Sequence, residues 1–345
     1  MAATALPTRP LGRNGPLVPA LGFGAMGLSV SYGPAGSDEE RFKVLDRAYE
    51  LGSTFWDSAD VYGDNEDLIG KWFKRTGKRD GIFLATKCGG YLDSSGGFSV
   101  RSDPEYVRQA CEKSLQRLGV SHIDLFYLHR LDRKTPIELT IKALAELKEQ
   151  GKIRHLGLSE VSAATLRRAH AVHPITAIQV EYSPFSVDIE KPEIGLLKTA
   201  RELGVAIVAY SPLGRGMLTG QIKSPDDFAE DDFRRTLPRF SKENFGKNLA
   251  LADKIGSIAA SKGVTPGQLT LAWLLAQGDD IFPIPGSTKK IKYLEENLGA
   301  VNVTLTKKEE EEIRKAIDET EVTGGRYSDA MAGQLFADTP ELERN

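Results

Sequence analysis

Four side chains stand where apolar strands give way to loops, and their types suit one kind of chemistry. They are Asp57 in WDSADVYG, Tyr62 in the same segment, Lys87 in FLATKCGG and His129 in DLFYLHR. A phenol titrates near ~10 in water, so Tyr62 keeps its proton at neutral pH. An ammonium beside it draws that pKa down toward a range where the group both gives and takes a proton. Lys87 is the candidate ammonium, and Asp57 is the carboxylate that would keep it charged where the dielectric is low. A neutral His129 can donate a hydrogen bond to a carbonyl oxygen and hold it against the phenol. The four together describe a general-acid site for an oxygen that becomes negative during reaction. Singly, each has a plain structural use: Asp57 as a turn cap, Lys87 as a partner for any carboxylate, His129 as a wall residue. Their shared position at the ends of three successive strands favours the joint reading, because Lys87 in an apolar strand is costly to bury without a partner.

The elements that must position these residues follow an alternation of short apolar runs and amphipathic stretches opened by capping signals. Ser37 with Glu40 opens a helix that stops at Gly52, and a strand follows over 54–57. Ser102 with Glu105 opens a helix ending at Gly119, followed by a strand over 122–128. Thr135 with Glu138 opens the next helix, then come strand 153–159, helix 162–173, strand 177–182, helix 193–202 and strand 205–210. Strand 281–285 and helix 290–299 continue the rhythm, and 21–24 and 82–87 bring the core strands to eight. Eight strands separated by helices, with no Pro/Gly/Ser-rich linker at mid-chain, predict an α/β fold, a single (β/α)8 TIM barrel forming one domain over 1–345. No G-x-G-x-x-G follows the first strand, which argues against a doubly wound dinucleotide-binding sheet. In a barrel the carboxyl ends of the strands meet at one mouth, which is where the four residues belong.

Three segments fall outside the repeat. Residues 7–19 read as a hairpin turning at Asn14 and Gly15, placed to plug the barrel floor. Residues 214–247, rich in Gly, Pro and charge, are too long for an ordinary connection and are a candidate lid. A C-terminal helix capped by Thr306 with Glu309 is followed by a tail, 319–345, whose Arg326, Tyr327, Met331 and Phe336 are expected to fold over the mouth. Composition narrows the partners. Hydrophobic residues make up 40% and charged residues 27% of 345, and Lys+Arg 45 against Asp+Glu 48 gives a net charge of −3. With no basic run longer than two residues and no long apolar run, a small molecule is expected as partner rather than nucleic acid or membrane. Cys88 and Cys111 are too few for a disulfide framework, and with no signal peptide a cytoplasmic protein is expected.

The tetrad in this context resembles that of the aldo-keto reductases, and the resemblance runs through LGFGAMG, IRHLGLSE, IQVEYSP, AYSPLGRGMLTG and PIPGSTKKIKYLEEN. The last third is most similar to the pyridoxal reductase-like and auxin-induced-protein-like branch, through EEN at 295–297 and the GRYSDAM and LFADTP segments of the tail. The resemblance implies reduction of aldehydes or ketones with NADPH, the proton coming from Tyr62. It implies that Ser159 and Gln179 bond the nicotinamide carboxamide and that the Tyr210 ring stacks on the nicotinamide. Ser211, Pro212, Leu213, Gly214 and Gly216 form a loop of small residues suited to a pyrophosphate. Gly286, Ser287, Thr288, Lys289 and Lys290 offer hydroxyls and two cations at a helix start, where lysines oppose the helix dipole unless an anion sits there, and this suits a 2′-phosphate. Glu296 and Asn297 are implied contacts of the adenine. Glu160 stands where many relatives have Asn beside the carboxamide, and an ionised carboxylate accepts from the amide without donating to it. Two lysines replace the usual Arg as phosphate ligand, a point charge in place of a fork. The alternative from another class is an NADP(H)-binding, redox-sensing regulatory subunit resembling potassium-channel beta subunits. With the hairpin so near the start of the sequence, no added inactivating segment is expected, and an enzyme is the expected reading. A barrel isomerase or hydrolase using the same mouth is the third reading.

Overall fold

The computed structural model describes residues 6–92, 97–286 and 289–343. Among them, eight parallel strands lie side by side in one sheet, each paired with its neighbour in sequence order. They are Phe23–Gly24, Phe55–Asp57, Phe83–Cys88, Ile123–Leu128, Ile153–Ser159, Ala177–Glu181, Ala206–Tyr210 and Ile281–Pro283. The sheet curls until its ends meet. Gly22 N–H donates to the Pro283 carbonyl at 2.9 Å and Gly24 N–H to the Pro285 carbonyl at 3.1 Å. Prolines 283 and 285 have no N–H to return, so among the described residues the seam between the last and first strands is bonded from one side only. This is the (β/α)8 barrel that the alternation predicts.

Side chains of a strand alternate between the barrel interior and the surrounding helices, and that period of two sets the site. On the third strand, Leu84 and Cys88 pack outward with the helices while Ala85 belongs to the interior cluster. Phe55, Tyr127, Ala177 and Val208 share that interior layer. Two residues further along each strand, on the same face, stand Asp57, Lys87, His129, Gln179 and Tyr210. Gly157 lies level with Tyr127 on the adjacent strand. A Cβ at Gly157 would come within 2.3 Å of the Tyr127 ring, so only glycine lets that ring fill the barrel.

The floor is closed by the expected hairpin. Thr8–Pro10 pairs antiparallel with Leu17–Pro19, and Asn14 takes the left-handed conformation at the turn (φ 59°). Its Leu11 and Val18, both fully buried, pack against Phe55, Leu125 and Phe282 inside the barrel.

Several helix starts follow the capping signals and others do not. Ser37 and Glu40 form a full capping box, as do Thr306 and Glu309 ahead of helix Lys307–Asp318. The helix expected from Ser102 is capped instead by Asp103, whose carboxylate accepts from Tyr106 N–H. Ser102 is taken by the next loop, exchanging hydrogen bonds with Asp132. Thr135 likewise bonds Asp132 and caps nothing, so helix Ile137–Glu149 starts behind Pro136 without a side-chain cap. Helix Asn65–Thr76 was absent from the alternation, as were Lys242–Lys262 and Pro266–Ala276, although Ser241 and Thr265 cap the latter two. The expected lid over 214–247 is shorter than that: short 3-10 turns fill most of it, and a long helix begins at Lys242. No helix among the described residues is long and apolar enough to cross a membrane.

If the hairpin is the barrel floor, Leu11→Ala leaves a cavity beneath the interior layer. Urea unfolding is expected to show a loss of about 2–5 kcal/mol, and a loss below 1 kcal/mol would place the hairpin outside the core.

Candidate active site

A cavity of about 900 Å³ opens at the carboxyl ends of the strands, and Asp57, Tyr62 and His129 line it. Lys87 lies beneath, fully buried. Its ammonium donates to Asp57 Oδ1 at 2.5 Å and to the Ser58 carbonyl at 2.6 Å, with the Tyr62 hydroxyl at 3.5 Å. Gln179 Nε2 donates to the other oxygen of Asp57 at 2.7 Å. The His129 ring stands edge-on to Tyr62, centroids 5.9 Å apart at 86°. The four residues singled out by type are therefore brought together at one end of one cavity.

Burial and charge fix their protonation. Burial works against the Lys87 ammonium, but the Asp57 carboxylate and Tyr62 outweigh it and hold Lys87 above the ordinary lysine range. Burial raises the Asp57 carboxyl against the pull of Lys87. The ionised pair is the form in which every donor around Asp57 finds an acceptor, and it is the state at neutral pH. Tyr62 corrects one expectation. Lys87 does lower it, yet burial is the larger effect and the phenol sits above its ordinary value, so it holds its proton firmly. His129 is pushed well below the ordinary histidine range by burial, then by Arg130 and Lys87, and is neutral. Its Nδ1 is buried with no hydrogen-bond partner among the described residues.

The expected cofactor residues divide. Ser159, Gln179, Tyr210, Ser211, Pro212, Leu213, Gly216, Gly286, Lys289, Lys290, Glu296 and Asn297 line the cavity. Left-handed backbone at Ser211, Gly214, Arg215 and Gly216 folds the loop after the seventh strand, and Gly214 itself faces away toward Phe185. Lys289 Nζ reaches the Gly33 carbonyl at 3.4 Å, and burial with nearby Arg41 holds its ammonium below the ordinary range. Asn297 Nδ2 donates to the Gly286 carbonyl at 3.3 Å. Ser287 and Thr288 lie outside the described residues.

Glu160 is placed differently from the expectation. It is fully buried but does not line the cavity. Arg326 grips its carboxylate with two hydrogen bonds, at 2.9 and 3.1 Å, and Tyr210 Oη donates at 2.8 Å and Glu181 N–H at 3.2 Å. Glu160 thus anchors the C-terminal tail and orients Tyr210 rather than facing a carboxamide. The tail runs beside it, with Ala337 N–H donating to the Glu160 carbonyl and Ser162 N–H to the Ala337 carbonyl. Tyr327 and Met331 reach the cavity as expected. Arg326 and Phe336 stay beneath it, the guanidinium stacked 4.9 Å from the Phe336 centroid.

Other cavity residues were missed. Arg130, Arg215 and Arg234 line it, as do Tyr32 and Phe233. Arg215 pairs with Glu181 at 3.2 Å and Arg234 with Asp232 at 2.6 Å. Arg130 had a readable signal, a cation directly after the His129 strand end. Arg234 had none, because only the folded 3-10 turns bring it over the Tyr32 ring, 5.0 Å from the centroid.

Known proteins match this arrangement. Residues 20–318 match the Aldo/keto reductase family. The chain is 58% identical over 342 residues to aldo-keto reductase str7 of Strobilurus tenacellus, covering 98% of this chain and 99% of that one. It is 55% identical to aldo-keto reductase yakc [NADP(+)] of Schizosaccharomyces pombe, with the same coverage. Among solved structures it is similar to the glycerol dehydrogenase AKR11B4 of Gluconobacter oxydans, with TM-score 0.78 at 27% identity over the whole of both chains. It is also similar to the thermostable aldo-keto reductase Tm1743 bound to the inhibitor epalrestat, with TM-score 0.71 at 29% identity over 90% of this chain and all of that one. The barrel, the buried tetrad and these relatives together place the chain in the aldo/keto reductase family.

Proposed function

We propose that the protein reduces aldehydes or ketones to alcohols with NADPH, Tyr62 giving the proton. The observation that carries this reading is Lys87, buried and fixed between Asp57 at 2.5 Å and the Tyr62 hydroxyl at 3.5 Å at the base of the cavity. The cavity residues fit the cofactor. Polar groups at Ser159 and Gln179 suit an amide, Tyr210 offers a flat ring, and the left-handed loop after the seventh strand lets backbone approach a pyrophosphate. Lys289 and Lys290 suit a 2′-phosphate. Bound there, NADPH would supply the hydride.

The chain's own residues then handle the oxygen. Tyr62, protonated because it is buried, donates to the carbonyl oxygen, and neutral His129 can hold that oxygen on the other side. As the oxygen gains charge, Lys87 stabilises the phenolate left on Tyr62, and Asp57 keeps Lys87 an ammonium throughout. The relative whose name carries NADP(+) supports the cofactor assignment.

The test follows NADPH absorbance with a panel of aldehydes, ketones and pyridoxal. Tyr62→Phe is expected to cut turnover by at least ~10²-fold, the usual worth of a positioned proton donor, while NADPH still binds by fluorescence titration. Turnover near wild type would remove Tyr62 from the role. Cofactor choice is checked separately. Replacing Lys289 and Lys290 by Ala is expected to weaken NADPH binding ~10-fold or more and leave NADH nearly unaffected, since NADH lacks the phosphate. Equal losses for both cofactors would refute the assignment.

A further inference from the structure

Arg130 is 7% exposed, lines the cavity and adjoins His129, yet has no carboxylate within salt-bridge distance among the described residues. Its described hydrogen bonds all leave from Nη1, to the His129 carbonyl at 2.7 Å and to Ser159 Oγ at 3.1 Å. Nε and Nη2 have no described partner. A guanidinium cannot shed its proton in a protein, so this is a permanent cation held out of bulk water. Other arginines at the mouth are matched: Arg326 by Glu160, and Arg215 and Arg239 by a shared Glu181. Arg234 is held by Asp232, so among the described residues five guanidiniums here stand with three buried carboxylates, and Arg130 is the one that none of them pairs. Asp227, which also lines the cavity, is occupied by the backbone N–H groups of Lys223 and Ser224.

The geometry points to a substrate that brings the missing charge. We infer that the favoured substrate is a carbonyl compound bearing a carboxylate, which Arg130 receives through Nε and Nη2 while the carbonyl oxygen lies against Tyr62 and His129. The inference rests on the reductase reading above and names its substrate class. A planar carboxylate matches the two free donors of the guanidinium fork, which a neutral aldehyde leaves unanswered. The carboxamide expected at Ser159 is uncharged, so the cofactor does not supply the counter-charge at this end. The placement also makes Arg130 a specificity residue: it acts on what is bound, while Tyr62 acts on the bond.

The test compares 4-carboxybenzaldehyde with 4-methylbenzaldehyde, two aldehydes of similar shape differing in charge, using the NADPH-loaded enzyme and its Arg130→Met and Arg130→Lys variants. Wild type is expected to favour the acid in kcat/KM by at least ~10-fold, chiefly through KM. Arg130→Met should lose at least ~10-fold more on the acid than on the neutral aldehyde, and Arg130→Lys should recover part of that difference. Benzoate should compete with the aldehyde in wild type and bind at least ~10-fold more weakly to Arg130→Met. Equal efficiency of wild type on both aldehydes, or equal loss on both in Arg130→Met, would overturn the inference. The latter would make Arg130 a support for Ser159 or Tyr62. Failure of wild type to reduce either aldehyde or any other member of the carbonyl panel would instead strike at the reductase reading, which separates the two claims.

Discussion

The contact between Lys87 and Asp57 governs the rest of the site. Neither group reaches solvent to any useful extent, at 0% and 3% exposure. Each alone would be a severe penalty, and breaking such a pair by removing one partner typically costs about 3–5 kcal/mol. Together they fix a cation beneath the Tyr62 phenol, and everything around them serves that placement. Gln179 from the sixth strand bonds the second oxygen of Asp57, and the Ser58 carbonyl takes another ammonium proton. With Gln179 the pair ties the second, third and sixth strands together across the barrel interior, so the proposed chemistry and the fold share one interaction.

The barrel supplies this arrangement through its period of two. An apolar layer of Phe55, Ala85, Tyr127, Ala177 and Val208 fills the interior, and the next inward position on each strand is polar or aromatic. The same backbone that packs the core therefore delivers five side chains to one mouth. Above them the sequence adds a separate layer of charge, in which Glu160 and Glu181 hold the tail and the loop after the seventh strand through Arg326, Arg215 and Arg239. The tail is consequently more than an appended cover. Cutting it away, as an irregular segment after Thr320 would invite, leaves Glu160 buried without its arginine.

What the sequence made legible follows from this division. Strand positions, the hairpin turn at Asn14 and the tetrad could be read because each depends on local periodicity or on residue type at a strand end. The caps at Ser102 and Thr135 misled because both side chains are claimed by Asp132, a partner visible only in the folded loop. The family resemblance put Glu160 beside the carboxamide, where relatives have Asn, but a left-handed backbone at Glu160 (φ 51°) turns its side chain to Arg326, 166 residues away. Tyr62 departs from its expected acidity for a related reason: the neighbouring ammonium is evident from residue types, whereas the depth of burial that outweighs it is not.

The central claim, that Asp57 acts by keeping Lys87 charged beneath Tyr62, is tested most directly by the pH dependence of kcat/KM for carbonyl reduction in Asp57→Asn. Asp57 raises the proton affinity of both Lys87 and Tyr62. Without its charge both groups lose their protons more readily, so the alkaline limb of the profile is expected to move to lower pH by at least about one unit. An alkaline limb at the wild-type position, with only a uniform drop in rate, would contradict the account and reduce Asp57 to a packing residue.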